Sequence, residues 1–286
     1  MRLHITIPPL LLCLLPVLGL SWFQDAPRAE SGGGNAAVPG APLGKEIYDA
    51  RCAMCHGAGG RGDGIAAALV TPRPRDFTAG KFKFRTTESG SIPSDNDLER
   101  IIRQGAHGTT MPAWEPFLRG DTLKSVIAYV KSFSARFQHE KPKPIRASPA
   151  VPGSPSSIAA GKKVYERLEC AQCHGTDGEG TGATAEGLTD DWGYGIEATK
   201  LTEPWTFRNG SSPSDIYFTV CSGLDGAPMP AFSGTATGDE LWHRSMRPEQ
   251  ALRHVHVELA QPELVQRRHR GQQRIRPVAA DAQRGD

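Results

Sequence analysis

Apolar positions in this chain fall into short helical patterns that are separated by long polar loops. The clearest pattern lies in residues 121–133. Its apolar side chains recur at i, i+3, i+4 and i+7, which is the spacing of one buried helix face. The residues of this stripe are Leu123, Val126, Ile127 and Val130. Shorter helices are predicted over 45–52 and 95–103, the second with Ser94 or Asp95 as its N-cap.

The N-terminal residues have a pattern of their own. An apolar run at 5–20 is interrupted by three prolines and followed by a polar, glycine-rich stretch. A membrane-spanning helix needs about 20 apolar residues, so residues 1–23 predict a signal peptide or an N-terminal anchor. Residues 24–40 are expected to be a flexible linker. The protein is thus predicted to be exported or periplasmic, and either soluble or tethered to the membrane by its N-terminus.

Composition limits what can fill the interior. Hydrophobic residues make up 38% of the chain, below the usual value of about 45–50%, and there are 32 glycines and 23 prolines. A large core made of side chains alone is therefore not expected. The formal net charge of +2 and the lack of a basic cluster give no indication of nucleic-acid binding.

An internal repeat organises the remainder of the chain. The sequence Cys-Ala-Met-Cys-His-Gly at 52–57 recurs as Cys-Ala-Gln-Cys-His-Gly at 170–175, an offset of 118 residues. The same offset relates Met-Pro-Ala-Trp at 111–114 to Met-Pro-Ala-Phe at 229–232. These matches predict two copies of one domain, at 41–135 and 158–245. Residues 136–157, rich in proline and lysine, are expected to form an extended, semi-rigid linker.

Each copy carries a C-x-x-C-H motif, the attachment signature of c-type haem. The two thiols lie one helical turn apart and can add to the two vinyl groups of a porphyrin, while the histidine that follows can ligate the iron. A redox dithiol and half of a zinc site are the alternatives for one such motif. The predicted attachment residues are Cys52, Cys55, Cys170 and Cys173, and the predicted proximal ligands are His56 and His174.

A methionine in each copy completes a ligand set. Met111 follows His56 by 55 residues, and Met229 follows His174 by the same distance. Most methionines simply fill cores, but only five exist here and two occupy equivalent places. A thioether suits low-spin iron, so Met111 and Met229 are the predicted sixth ligands.

Taken together, these motifs resemble the tandem class I cytochromes c, which are dihaem periplasmic electron carriers. The resemblance covers most of residues 41–241. It implies a mainly α fold with two tandem class I cytochrome c domains, each a few short helices and long loops around a covalent haem, and hence two covalently bound haem c groups. It also implies redox protein partners: a respiratory complex, a terminal oxidase or a periplasmic molybdoenzyme.

Some residues near the motifs have weaker predicted roles. Arg85 and Arg208 occupy matching places, and a guanidinium pairs well with a haem propionate; a solvated surface arginine is the alternative. His107 and Cys221 lack counterparts in the other copy. They are therefore expected to be an uncoordinated histidine and a buried thiol, rather than iron ligands.

The charge is shared unevenly between the copies. Residues 41–135 contain 13 Lys and Arg against 10 Asp and Glu, whereas residues 158–241 contain 5 against 13. One interpretation is a directional relay between an acidic and a basic partner. The other is that the two copies attract each other.

Beyond the second copy the pattern changes. From Trp242 onwards there are nine arginines, four histidines and no lysine, and no stripe like that of residues 121–133 is evident. The sequence therefore predicts that the second copy has lost its C-terminal helix. Residues 246–286 are expected to be an atypical tail, which is frameshifted, disordered or a genuine divergent segment.

The predicted function is single-electron transfer by a protein that is not itself an enzyme. A dihaem peroxidase is the main enzymatic alternative, but it needs an iron with an exchangeable sixth position, and the matched methionines argue against one. The third hypothesis is a cytochrome subunit that is fixed in a membrane or molybdoenzyme complex.

Overall fold

Residues 41–246 are described by a computed structural model of the chain. The predicted signal peptide or anchor, the linker at 24–40 and all but the first residue of the predicted tail lie outside the described residues. Within 41–246 the regular structure is helical. The only β pairing there consists of two isolated bridges, between Thr87 and Pro144 and between Thr189 and Gly195.

The two copies, here called the first and the second repeat, have the same order of helices. The α-helices of the first repeat are α1 (Ala41–Arg51), α2 (Ala53–His56), α3 (Asp95–Gln104) and α4 (Gly120–Ser132). A short helix, α5 (Arg136–His139), follows. Those of the second repeat are α6 (Pro155–Arg167), α7 (Ala171–His174), α8 (Pro213–Ser222) and α9 (Gly238–Ser245). Single 3₁₀ turns lie at Ala67–Leu69 and Pro204–Thr206. The mainly α prediction is confirmed.

Capping explains where the third helix of each repeat begins. Ser94 is the N-cap of α3, its hydroxyl accepts a hydrogen bond from the Asp97 backbone N–H, and the Asp97 carboxylate accepts one in return from the Ser94 backbone. Ser212 and Asp215 form the same reciprocal pair at the start of α8. Such capping boxes satisfy two backbone donors that would otherwise lack partners.

A glycine in the first helix of each repeat lets it cross the last helix at close range. A Cβ at Gly44 would lie 2.1 Å from the Ser125 carbonyl oxygen of α4. A Cβ at Gly161 would lie 2.2 Å from the His243 carbonyl oxygen of α9. No side chain fits at these distances, so each crossing depends on glycine.

The predicted stripe of α4 forms the core of the first repeat. All four of its apolar residues are buried, and they pack with Tyr48 of α1 and with Leu98 and Ile102 of α3. Burial of such side chains contributes about 1.5–3 kcal/mol each. The stripe thus closes the first repeat as its periodicity predicted.

The prediction that the second repeat has lost its C-terminal helix is wrong for the described residues. Helix α9 begins after the N-cap Thr237 and runs to Ser245. Its buried residues Leu241 and Trp242 replace the four-residue stripe of α4. The indole of Trp242 stacks on Tyr217 of α8, with ring centroids 4.2 Å apart. A large aromatic side chain and a close helix crossing therefore close the second repeat, as the longer apolar stripe of α4 closes the first.

The segment predicted as an extended linker is packed against both repeats. It begins with α5, and the Ile145 backbone N–H then donates to the Thr86 carbonyl at 2.9 Å. Further along, the Ser148 carbonyl accepts a hydrogen bond from the Trp242 indole at 2.9 Å. Ile145 and Val151 pack against the hydrophobic core of the second repeat, here called the second core. These contacts fix the segment to the surface of the repeats, so it does not act as a free spacer.

The two repeats also contact each other directly through polar groups. Arg85 of the first repeat forms a buried ion pair with Asp225 of the second, Nη2 to Oδ1, at 2.7 Å. Lys81 pairs with Asp191 in a more exposed setting. The Arg100 guanidinium donates to the backbone carbonyl of Asn209 at 2.8 Å. These contacts support the interpretation in which the unequal charges hold the repeats together.

Candidate functional site

The C-x-x-C-H motif of the first repeat forms a single helical turn after α1. Cys52 is the N-cap of α2, and the His56 backbone N–H donates to the Cys52 carbonyl at 2.9 Å. The buried Tyr48 hydroxyl donates to the Gly57 carbonyl at 2.8 Å, which ties the end of the motif back to α1. The five cysteines that the structure describes are all unpaired thiols. Burial raises the pKa of Cys52 to about 11.

A backbone carbonyl sets the tautomer of the His56 ring. The Nδ1 atom lies 3.1 Å from the Arg75 carbonyl oxygen, which can only accept, so Nδ1 carries the proton. The Nε2 atom is then left with its lone pair, the state that a metal ligand requires. Burial lowers the pKa of His56, which favours the neutral ring.

The loop that carries Met111 is fixed to the end of α3. The Ala106 backbone N–H donates to the Met111 carbonyl at 3.2 Å, and the Trp114 N–H donates to the Ile102 carbonyl at 3.1 Å. Gly105 has a φ of 73°, and a Cβ there would lie 2.7 Å from the Met111 carbonyl oxygen. Helix α3 thus places the methionine loop by backbone contacts.

One cavity brings the predicted residues of the first repeat together. Cys52, Cys55, His56 and Met111 all line it. Most of its remaining wall is apolar and is contributed by α3, α4 and the loops; these residues include Phe77, Phe82, Leu98, Ile102, Trp114, Val126 and Val130. Two thiols, one imidazole and one thioether around an apolar space match the groups that hold a haem.

The second repeat reproduces these backbone contacts. The Tyr165 hydroxyl donates to the Gly175 carbonyl, and His174 Nδ1 lies 2.9 Å from the Thr199 carbonyl oxygen. Burial also lowers the pKa of His174. The Leu224 N–H donates to the Met229 carbonyl at 3.0 Å, as Ala106 does to Met111. Met229 packs against the second core.

The two predicted propionate arginines differ in their surroundings. Arg85 is fully buried, and its guanidinium donates to the carbonyls of Phe82, Glu88 and Ser222 as well as to Asp225. Arg208 lines the cavity of the first repeat, although it belongs to the second. Equivalent places in the sequence therefore have different roles in the structure.

The two unmatched residues lie where a non-ligand is expected. Cys221 is buried in the second core, where burial raises the pKa of its thiol to about 11. His107 is exposed. Nothing in the sequence indicates that Lys83 lines the first cavity, because lysines that alternate with phenylalanine at 81–84 are typical of a solvated face.

Comparison with known proteins identifies the family. The sequence profile described as cytochrome c oxidase, cbb3-type, subunit III matches residues 40–130 and 156–243. The chain belongs to this family. The two matched segments correspond to the two repeats, and the resemblance to tandem class I cytochromes c is confirmed.

Individual relatives agree with this assignment. The cbb3-type cytochrome c oxidase subunit CcoP of Azospirillum sp. (strain B510) is 29% identical over 196 residues, which are 66% of this cytochrome and 55% of the relative. Cytochrome c6 of Chlorolobion braunii is 34% identical over 89 residues, 31% of this chain and 84% of that one. The chain spans about half the length of the CcoP relatives that it matches.

A solved structure matches this chain over most of the length of the solved chain. A chain of the Kuenenia stuttgartiensis reducing HAO-like protein complex Kustc0457/Kustc0458 aligns with a TM-score of 0.68 and 40% sequence identity. The alignment covers 71% of this cytochrome and 92% of that chain. The protein is therefore a c-type cytochrome, and its homology implies covalently bound haem c. Bound haem would supply an iron that gains and loses one electron.

Within residues 41–246, no helix has the length and apolar character that are needed to cross a membrane.

Proposed function

We propose that this protein is a dihaem c-type cytochrome that passes single electrons between redox protein partners. Cys52 and Cys55 would attach one haem, and Cys170 and Cys173 the other. His56 with Met111, and His174 with Met229, would be the axial ligands of the two irons. With these histidines and methionines as ligands, neither iron would be open to a substrate, and the protein would act as a carrier and not as a peroxidase.

One observation carries the proposal. The attachment cysteines, the histidine and the methionine of the first repeat line a single, mostly apolar cavity. In both repeats a backbone carbonyl holds the histidine with Nε2 available for a metal. A redox dithiol would have no use for this orientation of the histidine, and the described residues contain no cluster of three or more His, Cys, Asp or Glu that could hold a zinc ion.

The relatives support redox proteins as partners. The CcoP relatives are named as oxidase subunits, and the solved neighbour belongs to a protein complex. We infer that this cytochrome exchanges electrons with a respiratory or periplasmic redox complex, either as a diffusing carrier or as a bound subunit. The apolar run at 5–20 supports export, with the N-terminus as a signal or a tether.

The mass of the exported protein tests the haem count. Expressed with haem-attachment machinery, the protein should exceed its polypeptide mass by two haems. Replacement of both Cys52 and Cys55 by Ala should remove one haem, and the same change at Cys170 and Cys173 should remove the other. Cys221→Ala is the matched control, because this thiol lies outside the motifs, and it should retain both. A mass equal to that of the bare polypeptide would falsify the proposal.

The reduction potentials test the ligation. Met111→His should keep the first haem six-coordinate and lower its potential, because a thioether stabilises ferrous iron more than imidazole does. Met229→His should do the same to the second haem only. If neither change moves a potential, the methionines are not ligands.

A further inference from the structure

Two of the five basic side chains that line the first cavity have neither an acidic nor an aromatic partner among residues 41–246. Lys83 of the first repeat and Arg208 of the second both line this cavity. Neither takes part in a salt bridge or in a side-chain hydrogen bond within that part of the chain. Both are only partly exposed.

The other basic groups in this region are already engaged. Arg85 is paired with Asp225, and Lys81 with Asp191. The three other cations that line the cavity each lie over an aromatic ring: Arg75 over Trp192 at 4.6 Å from the centroid, Arg73 over Tyr194 at 4.8 Å and Arg51 over Trp114 at 5.9 Å. Lys83 and Arg208 are therefore set apart by their lack of a partner, since a basic group at this interface otherwise has one.

Their placement is unfavourable without an anion. Burial, together with the neighbouring Arg75 and Arg208, lowers the pKa of Lys83 to about 8, against the opposing effect of Asp190 and Asp191. Burial also lowers the pKa of Arg208, while Glu197 acts in the opposite direction. Partly buried cations that repel each other indicate a site that is completed by a negatively charged ligand.

The cavity indicates which anion this is. The walls are mostly apolar, and the cavity also contains the cysteines, the histidine and the methionine that are proposed to hold a haem. A haem carries two propionate carboxylates, and these are the charged groups that would need cations at the edge of such a cavity. We propose that Lys83 and Arg208 bind the propionates of the haem in the first repeat, so that Arg208 serves the haem of the other repeat. This inference rests on the proposed function.

The contacts of Arg85 explain why its counterpart Arg208 takes this role. Four hydrogen bonds join the Arg85 guanidinium to Phe82, Glu88, Ser222 and Asp225. The bonds to Ser222 and Asp225 join the repeats, and those to Phe82 and Glu88 fix the guanidinium within the first repeat. The same interface brings Arg208 to the first cavity, next to Asn209, which accepts hydrogen bonds from Arg100.

The proposal predicts that a residue of the second repeat sets the potential of the first haem. Loss of a cation beside a propionate leaves the carboxylate charge uncompensated. That charge stabilises ferric over ferrous iron, so the potential falls. Arg208→Gln and Lys83→Gln should therefore each lower the potential of the first haem and leave the second unchanged.

Redox titration of the exported dihaem protein tests this expectation. The signal of the first haem is assigned as the one that Met111→His displaces. Lys81→Gln is the matched control, because it removes a cation from the same interface that is paired with Asp191 and does not line the cavity; it should move neither potential. Arg208→Lys should retain most of the wild-type potential, because it keeps the charge.

The outcomes separate this inference from the proposed function. A wild-type protein that carries no haem in the first repeat contradicts both. Two haems by mass with a first-haem potential that neither Lys83→Gln nor Arg208→Gln lowers overturn the inference alone. A shift by Arg208→Gln that is confined to the second haem also overturns it, since Arg208 would then serve its own repeat. If Arg208→Gln fails to fold, Lys83→Gln decides, because that change leaves the contacts between the repeats intact.

Discussion

The two repeats share the contacts that are made at backbone atoms, but they differ in the side chains that form their cores. In both, a glycine permits the crossing of the first and last helices, and a tyrosine hydroxyl is bonded to the carbonyl that follows the C-x-x-C-H motif. The core of the first repeat is an aliphatic stripe beneath a cluster of aromatic rings. The core of the second depends on one stacked pair, Tyr217 and Trp242.

This difference shows which features the fold requires and which it can vary. The features that meet at backbone atoms are repeated, because a carbonyl oxygen or a close helix crossing accepts few alternatives. Apolar contacts can be replaced by other apolar contacts, provided that the apolar face of the helix stays buried. Charged residues vary the most: Arg85 joins the repeats, whereas Arg208, at the equivalent place, lines a cavity.

The largest expected effect comes from breaking the buried ion pair between the repeats. Asp225→Ala leaves the fully buried Arg85 guanidinium without its carboxylate. Removal of one partner of a buried pair costs about 3–5 kcal/mol. Chemical denaturation should show this loss, and the single unfolding transition should divide into two as the repeats separate.

The exposed pair of the same interface is the control. Lys81 and Asp191 are each about half exposed, with 47% of either side chain accessible. Asp191→Asn should therefore cost only about 0–1 kcal/mol. Equal losses from Asp225→Ala and Asp191→Asn would show that burial is not what makes the Arg85 contact important.

The helix crossings give the next largest effect. Gly44→Ala and Gly161→Ala each place a methyl group within about 2 Å of a carbonyl oxygen. Forced overpacking of this kind costs about 1–3 kcal/mol. Thermal unfolding should show a similar loss for both variants, because α9 closes the second repeat as α4 closes the first. Gly234→Ala is the control, since a Cβ there meets nothing within 4 Å; a harmless Gly161→Ala would mean that α9 does not pack on α6.

The tyrosine hydroxyls should give effects no larger than those of the helix crossings, and unequal ones. Tyr48 is fully buried, and burial raises its pKa, so its hydroxyl remains a donor. Tyr48→Phe leaves the Gly57 carbonyl without its partner, which costs about 1–3 kcal/mol. Tyr165 is only partly buried, so water can replace its hydroxyl, and Tyr165→Phe should cost about 0.5–1.5 kcal/mol. Denaturant titration of both variants measures the difference, and a larger loss for Tyr165→Phe would reverse this ranking of the two sites.

The sequence predicts the parts of the fold that have a local signal. The stripe of α4, the serine cap of α3 and the offset of 118 residues are all visible in the sequence, and the structure has the corresponding helices. Helix α9 was missed because Leu241 and Trp242 occupy a single turn, and their partners Tyr217 and Ser148 are distant in sequence.

The candidate site also has a part with a local sequence signal and a part without one. The C-x-x-C-H motifs and the methionines at a fixed offset can be recognised locally, and the structure places those of the first repeat around one cavity. The partners of Arg85 and Arg208 could not be predicted, because no periodicity indicates that Arg85 contacts a residue 140 positions away. Their roles are fixed by how the two repeats pack.

The contacts between the repeats also determine the kinetic order of the reaction between the proposed haems. Arg85, Arg100 and the packed segment after α5 hold both binding sites in one folded body. Two separate cytochromes would have to collide before an electron could pass, and their rate would depend on concentration, viscosity and salt. In this protein the proposed exchange would be unimolecular, so its rate should be the same in a dilute solution as in a crowded compartment.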